Sequence, residues 1–167
     1  GHYGNFIPKK KNKLLKVTTL NYNHDEFKYL DTIRSIPNYS KYYCIPEEKR
    51  FIIEPGEKIY EIIKTIACDI ETQIFKNKLQ YCYIDFGGEL ELFDTINNLL
   101  EKGDLTFWSS YKFIYDFTAQ MLEGLNFLHE KEICHLDIKP ENILVKGQEF
   151  RIIDFGFSSK YPFDDFV

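Results

Sequence analysis

The 167 residues contain no run of about 18 apolar residues, so nothing in them reads as a bilayer-spanning helix. Positive charge is scarce: 21 Lys and Arg against 26 Asp and Glu leave a formal charge of −5, which argues against a general nucleic-acid binder. The local exception, Lys9-Lys10-Lys11 with Lys13 and Lys16, reads as a solvated basic turn. Cysteine is sparse too. Cys44, Cys68, Cys82 and Cys134 stand among apolar neighbours at no metal-ligand spacing, and read as reduced core thiols of an intracellular, reducing compartment. The first residue is Gly1 rather than Met and no charged-then-apolar leader follows, so the sequence reads as a processed, trimmed or partial chain.

What is there is a hydrophobic content of 44% beside 28% charged residues, the balance of a soluble globular protein. The length suits about one and a half domains of common size. The most informative stretch runs from Ile133 to Gly156. Asp137, Lys139 and Asn142 sit on a loop that Pro140 keeps out of helix. Ile143, Leu144 and Val145 then predict a short apolar strand, Lys146-Gly147-Gln148 a turn, and Phe150, Ile152 and Ile153 a second strand leading to Asp154. The hairpin brings Asn142 and Asp154 together as two oxygen ligands, a sufficient protein share for Mg²⁺ when a nucleotide completes its octahedral shell. Asp137 is left to accept a hydroxyl proton and Lys139 to offset charge on a transferring phosphoryl group, which implies phosphoryl transfer.

His135-Leu136-Asp137-Ile138-Lys139-Pro140-Glu141-Asn142 resembles the catalytic loop of eukaryotic-type serine/threonine protein kinases, and Asp154-Phe155-Gly156 resembles their metal-binding triplet. Both occur in the family's order, with an apolar hairpin between them. The resemblance implies ATP and Mg²⁺ as cofactors and a protein substrate with a Ser or Thr hydroxyl, since Lys139 stands two positions after the catalytic Asp. It assigns Asp137 and Lys139 to catalysis, Asn142 and Asp154 to the metal, and His135 to a structural role in the loop. Leu136 stands where the family usually has Arg, and a Leu cannot pair with a phosphorylated activation loop, so the resemblance implies activity independent of such a phosphorylation.

From the start of the chain, Gly1-His2-Tyr3-Gly4-Asn5-Phe6 resembles the second half of a glycine-rich phosphate loop, which makes Gly1 and Gly4 ATP-binding candidates. Leu14-Leu15-Lys16-Val17 reads as a strand whose Lys16, with Lys13 as the alternative, would contact phosphates. A helix capped by Asn23 and running to Ser35 would bring Glu26, or alternatively Asp25, to that Lys, with Phe27, Leu30 and Ile33 along one face. Residues 41–46 and 51–53 read as two strand-like runs separated by a charged turn, Glu47-Glu48-Lys49-Arg50. Between Glu57 and Lys76 isoleucines recur at helical spacing, which predicts an inserted helix on the small lobe or, less simply, a docking place for a partner. Leu79 to Ile84 reads as a buried strand, and the resemblance implies that Asp85, Phe86 and Gly87 are the hinge where adenine binds. Ile84, or else Cys82, would limit the depth of that pocket, and Leu144 would join the ATP-binding residues.

Residues 92–100 predict a short helix ended by Gly103. Thr106 or Ser109 opens a long one to Glu130, with Ile114, Phe117, Met121, Leu125 and Leu128 as its apolar face. The fold class read from all this is α+β and two-lobed: residues 1–85 a small β-rich lobe with one main helix and an inserted helix over 57–76, residues 86–167 a truncated helical lobe. The competing reading is a non-catalytic nucleotide-binding or protein-interaction module, because the resemblance breaks off after Gly156, before the family's substrate-binding half.

Overall fold

The computed structural model describes residues 13–19, 27–66, 78–85, 90–103 and 106–161. The predicted positions Gly1, Gly4, Glu26, Phe86 and Gly87, together with residues 67–76 of the predicted inserted helix, lie outside them. The chain divides into two compact units.

Among the described residues the first unit is a three-stranded antiparallel sheet with one helix. Its strands β1 (Lys13–Thr19), β2 (Pro46–Ile53) and β3 (Leu79–Asp85) lie in the order β1-β3-β2. Apolar side chains recur along these strands, so one face can be buried by period-two alternation. That face holds Leu15, Ile53 and Leu79, and Ile59 and Ile63 of the helix Lys58–Ile66 close over them. Each of these side chains contributes about 1.5–3 kcal/mol on leaving water. The isoleucine periodicity is therefore answered by a helix over its first half, packed on the sheet. The expected turn at Glu47–Arg50 is corrected: these residues lie inside β2. Pro46 pairs with Ile84 and Arg50 with Cys82, so four steps along β2 match two along β3, and the surplus is absorbed as a bulge.

The second unit is mainly helical. Its described residues include two short helices, α1 (Leu30–Arg34) and α2 (Tyr39–Tyr42), both expected in the small lobe, and α2 takes in Lys41 and Tyr42 of the expected strand-like run 41–46. After α3 (Lys58–Ile66) of the first unit come α4 (Leu92–Glu101) and α5 (Phe107–Glu130). Thr106 and Ser109, read as alternatives for the start of α5, act together: the Thr106 side chain accepts from the Ser109 N–H while Ser109 Oγ accepts from the Thr106 N–H at 2.8 Å.

Phe150 sits on the buried face of α5, with the rings of Phe113 and Phe117 edge-on to it at 5.4 and 5.3 Å. Met121 and Leu128 continue the stripe. Phe117 and Leu125 are half-buried in it as expected, whereas Ile114 is 61% exposed and its neighbour Phe113 meets Phe150 instead.

The hairpin falls where the sequence places it. Strands β6 (Ile143–Lys146) and β7 (Glu149–Ile152) pair from Ile143 with Ile152 to Lys146 with Glu149, and the short strand β4 (Leu90–Glu91) adds to β6. The two-residue turn has Gly147 at φ +62°, the left-handed backbone that its first position needs and that a Cβ disfavours. A second small ribbon joins β5 (Ile133–Cys134) to β8 (Ser159–Lys160). Of the cysteines, Cys44 and Cys82 are buried and Cys134 is half-buried. Among the described residues no helix is long and apolar enough to cross a membrane.

Candidate active site

Pro140 starts a single 3-10 turn, Pro140–Asn142, that ends as β6 begins. Because the turn is short, Asn142 is left at the mouth of the hairpin and folds back toward Asp137. Its Nδ2 donates to the Asp137 carbonyl at 2.9 Å and to Asp137 Oδ2 at 2.8 Å. Two oxygen acceptors identify that atom as the nitrogen, so the amide oxygen faces the other way. Lys139 Nζ donates to the same Oδ2 at 2.8 Å. Among the described residues both donors thus meet one carboxylate oxygen of Asp137, and Oδ1 remains as its acceptor. The Lys139 hydrogen bond, helped by Asn142, holds the Asp137 carboxyl below the ordinary carboxylate range, and Asp137 in turn raises the Lys139 ammonium.

His135 joins the two halves of the site. Its Nδ1 accepts from the Asp137 N–H at 3.3 Å, and its Nε2–H donates to the carbonyl of Ile153 at 2.9 Å. Both roles require a neutral ring, and burial lowers its pKa to match. The ring packs at 4.8 Å against Phe155, which is fully buried. Ile153 N–H also donates to the Asn142 carbonyl at 2.9 Å. The loop carrying Asp137 and Asn142 is thereby stitched to the residue preceding Asp154.

Asp154 has φ +61° and Leu136 φ +64°, both in the left-handed region that non-glycine residues enter at a cost of about 1–2 kcal/mol. A Cβ at Gly156 would lie 3.3 Å from Asp154 Oδ1, so the glycine leaves that carboxylate its room. The donor set is a carboxylate and an amide oxygen, hard ligands that fit Mg²⁺ and would leave most of its shell to water and phosphate oxygens.

The other predicted positions divide between the units. In the first unit Lys16 lies on β1 opposite Cys82, on the strand face away from Leu15, while Lys13 is engaged by Glu47. Ile84 and Cys82 are both buried on β3, and Asp85 is its last residue. In the second unit Leu144 is half-buried on β6 opposite Arg151. The sequence reading missed two contributors. Ser158 is buried, with its hydroxyl directed to the His135 carbonyl at 3.5 Å. Tyr43 packs its ring on Phe155 at 5.9 Å, hidden within what reads as an apolar strand run. Only the aromatic character of Tyr43 was visible beforehand, and that is common to any core.

Comparison with known proteins adds an independent line. The protein kinase domain family matches residues 59–165. Rat myosin light chain kinase 3 is 44% identical over 82 residues, which is 47% of this chain and 9% of that protein. The titin homolog of Caenorhabditis elegans is 32% identical over 120 residues, 65% of this chain and 1% of that protein. Rat mitogen-activated protein kinase 4 is 29% identical over 103 residues, 60% of this chain and 34% of that protein. The chain thus spans less than a tenth of the first two relatives and about a third of the last.

Proposed function

Because the chain belongs to the protein kinase domain family, we propose that the protein transfers the γ-phosphoryl group of ATP to Ser or Thr hydroxyls of protein substrates. The observation that carries this reading is the state of Asp137: an ionised carboxylate with one oxygen tied to Lys139 and Asn142 and the other left as an acceptor. A substrate hydroxyl donating to Oδ1 would be oriented for attack, and its proton would pass to that oxygen. The new O–P bond forms as the bond between the γ-phosphorus and the bridging oxygen breaks, with ADP leaving.

Asn142 and Asp154 would hold Mg²⁺, which when bound neutralises phosphate charge and aligns the nucleotide. Lys139, exposed and already beside Asp137, would turn part of its charge to the transferring group. Lys16, with Glu26, would hold the α and β phosphates, Gly1 and Gly4 would cover them, and Ile84, Asp85, Phe86, Gly87 and Leu144 would take the adenine. Lys139 is the support for Ser/Thr rather than Tyr as acceptor. Leu136 supports activity without a phosphorylated activation loop.

The decisive variant is Asp137→Asn in the full-length protein. Transfer to a protein substrate should fall by about 10²–10⁴-fold, while ATP binding survives. Unchanged turnover would remove this mechanism and leave a nucleotide-binding module.

A further inference from the structure

Asp154 is gripped on both sides by a stretch more than a hundred residues earlier in the chain. Two residues before it, the Ile152 carbonyl accepts from the Cys44 N–H at 3.0 Å, and Ile152 also forms a parallel bridge with Tyr43. One residue after it, the buried Phe155 ring meets the Tyr43 ring edge-on at 5.9 Å and 77°. Tyr43 is itself fixed, since it is only 1% exposed and its hydroxyl donates to the carbonyl of Gly124 in α5. The backbone of α5 can come this near because position 124 has no side chain: a Cβ there would already touch Tyr42 at 3.4 Å. Between the two gripped residues, Asp154 holds a left-handed backbone that its own side chain does not favour and that its surroundings must impose.

We propose that Tyr43 is a positioning residue for Asp154. Its hydroxyl anchors the Tyr43–Cys44 segment to α5, and that segment, through Ile152 and Phe155, keeps the Asp154 carboxylate where Mg²⁺ is bound. The inference rests on the reading of Asp154 as a metal ligand. His135 holds the same turn from within its own loop, through the Ile153 carbonyl and the Phe155 ring, whereas Tyr43 adds a grip from outside that loop. Burial pushes the Tyr43 hydroxyl's pKa up, so it remains a donor throughout the neutral range.

Tyr43→Phe in the full-length protein removes the anchor and keeps the ring. The Mg²⁺ concentration giving half-maximal ATP binding should rise about three- to tenfold, the scale of one lost buried hydrogen bond, while ATP binding without Mg²⁺ stays the same. Amide exchange from Ile152 to Gly156 should quicken. Tyr115→Phe is the control, because Tyr115 is exposed on α5 and its ring meets Tyr111 rather than Phe155, and it should leave the Mg²⁺ dependence alone. A Tyr43→Phe protein with the parent's Mg²⁺ dependence and exchange would overturn the proposal. Asp154→Asn separates the two levels: if it abolishes Mg²⁺ dependence while Tyr43→Phe leaves that dependence unchanged, only the positioning role fails, and if it has no effect, the metal reading falls with it.

Discussion

His135 has two neighbours that demand opposite things of one ring. The Asp137 N–H needs an acceptor at Nδ1 and the Ile153 carbonyl needs a donor at Nε2, so only one neutral tautomer serves both. Protonation would set a second N–H against the Asp137 amide. Burial lowers the pKa of His135 from its ordinary 6.5, with Asp154 and Asp137 only partly opposing that shift. In the unfolded chain the imidazole takes up its proton at a higher pH than in the folded one. Stability should therefore fall as pH drops below about 6.5, and level off beneath the folded value. Thermal unfolding followed from about pH 8 to about pH 5 tests this. His135→Phe should flatten the profile in that window, and an unaltered slope would assign the dependence to other groups. The His-to-Asn spacing of the loop was legible from the sequence, since a Pro-bounded turn leaves little freedom. The shared Oδ2 of Asp137 was not, because it depends on which way the Asn142 amide turns in three dimensions.

At the scale of elements, periodicity names α5 and four of the five residues expected on its buried face, Ile114 being the exception. The apolar residues of α5 outnumber those its buried stripe needs: Tyr111, Ile114, Tyr115 and Leu122 are exposed, while Phe113, Phe117 and Met121 turn inward. Neighbouring positions on a helix differ by about 100°, so Phe113 and Ile114 compete for one inward place near the start of α5. Phe150 on β7 decides between them by presenting one ring to two. Phe150→Ala should lower stability by about 3–5 kcal/mol, whereas Ile114→Ala should change it by less than about 0.5 kcal/mol. Urea unfolding of both proteins measures the difference, and comparable losses would show that the stripe is set elsewhere. β2 carries a related lesson. Its four charged residues read as a turn, yet the bulge lets them stay in the strand with side chains at the surface.

For the whole molecule, the division into units differs from the chain's linear order. A cut near Asp85 follows from the end of a buried strand, but the return of α1, α2, Tyr43 and Cys44 to the helical unit does not. That return is made by Tyr42 on Phe127, by Tyr43 on Phe155 and by a backbone bond to Ile152. A nucleotide bound with Mg²⁺ should stabilise the protein as a whole. At about 100 times its dissociation constant the gain is about 2.7 kcal/mol, visible as a rise in Tm. Asp154→Asn should remove the Mg²⁺-dependent part of that rise, and an identical rise in the variant would place the metal elsewhere.

The order of catalytic loop, hairpin and Asp-Phe-Gly turn follows from the sequence alone, because proline, glycine and short apolar runs act over a few residues. So does the long helix, whose capping residues lie beside it. Tertiary structure decided that Phe113 rather than Ile114 turns inward, which oxygen of Asp137 stays available, and that Tyr43 reaches Phe155. Those outcomes depend on contacts between residues far apart in sequence, where many pairings satisfy the local rules and only the packed molecule selects one.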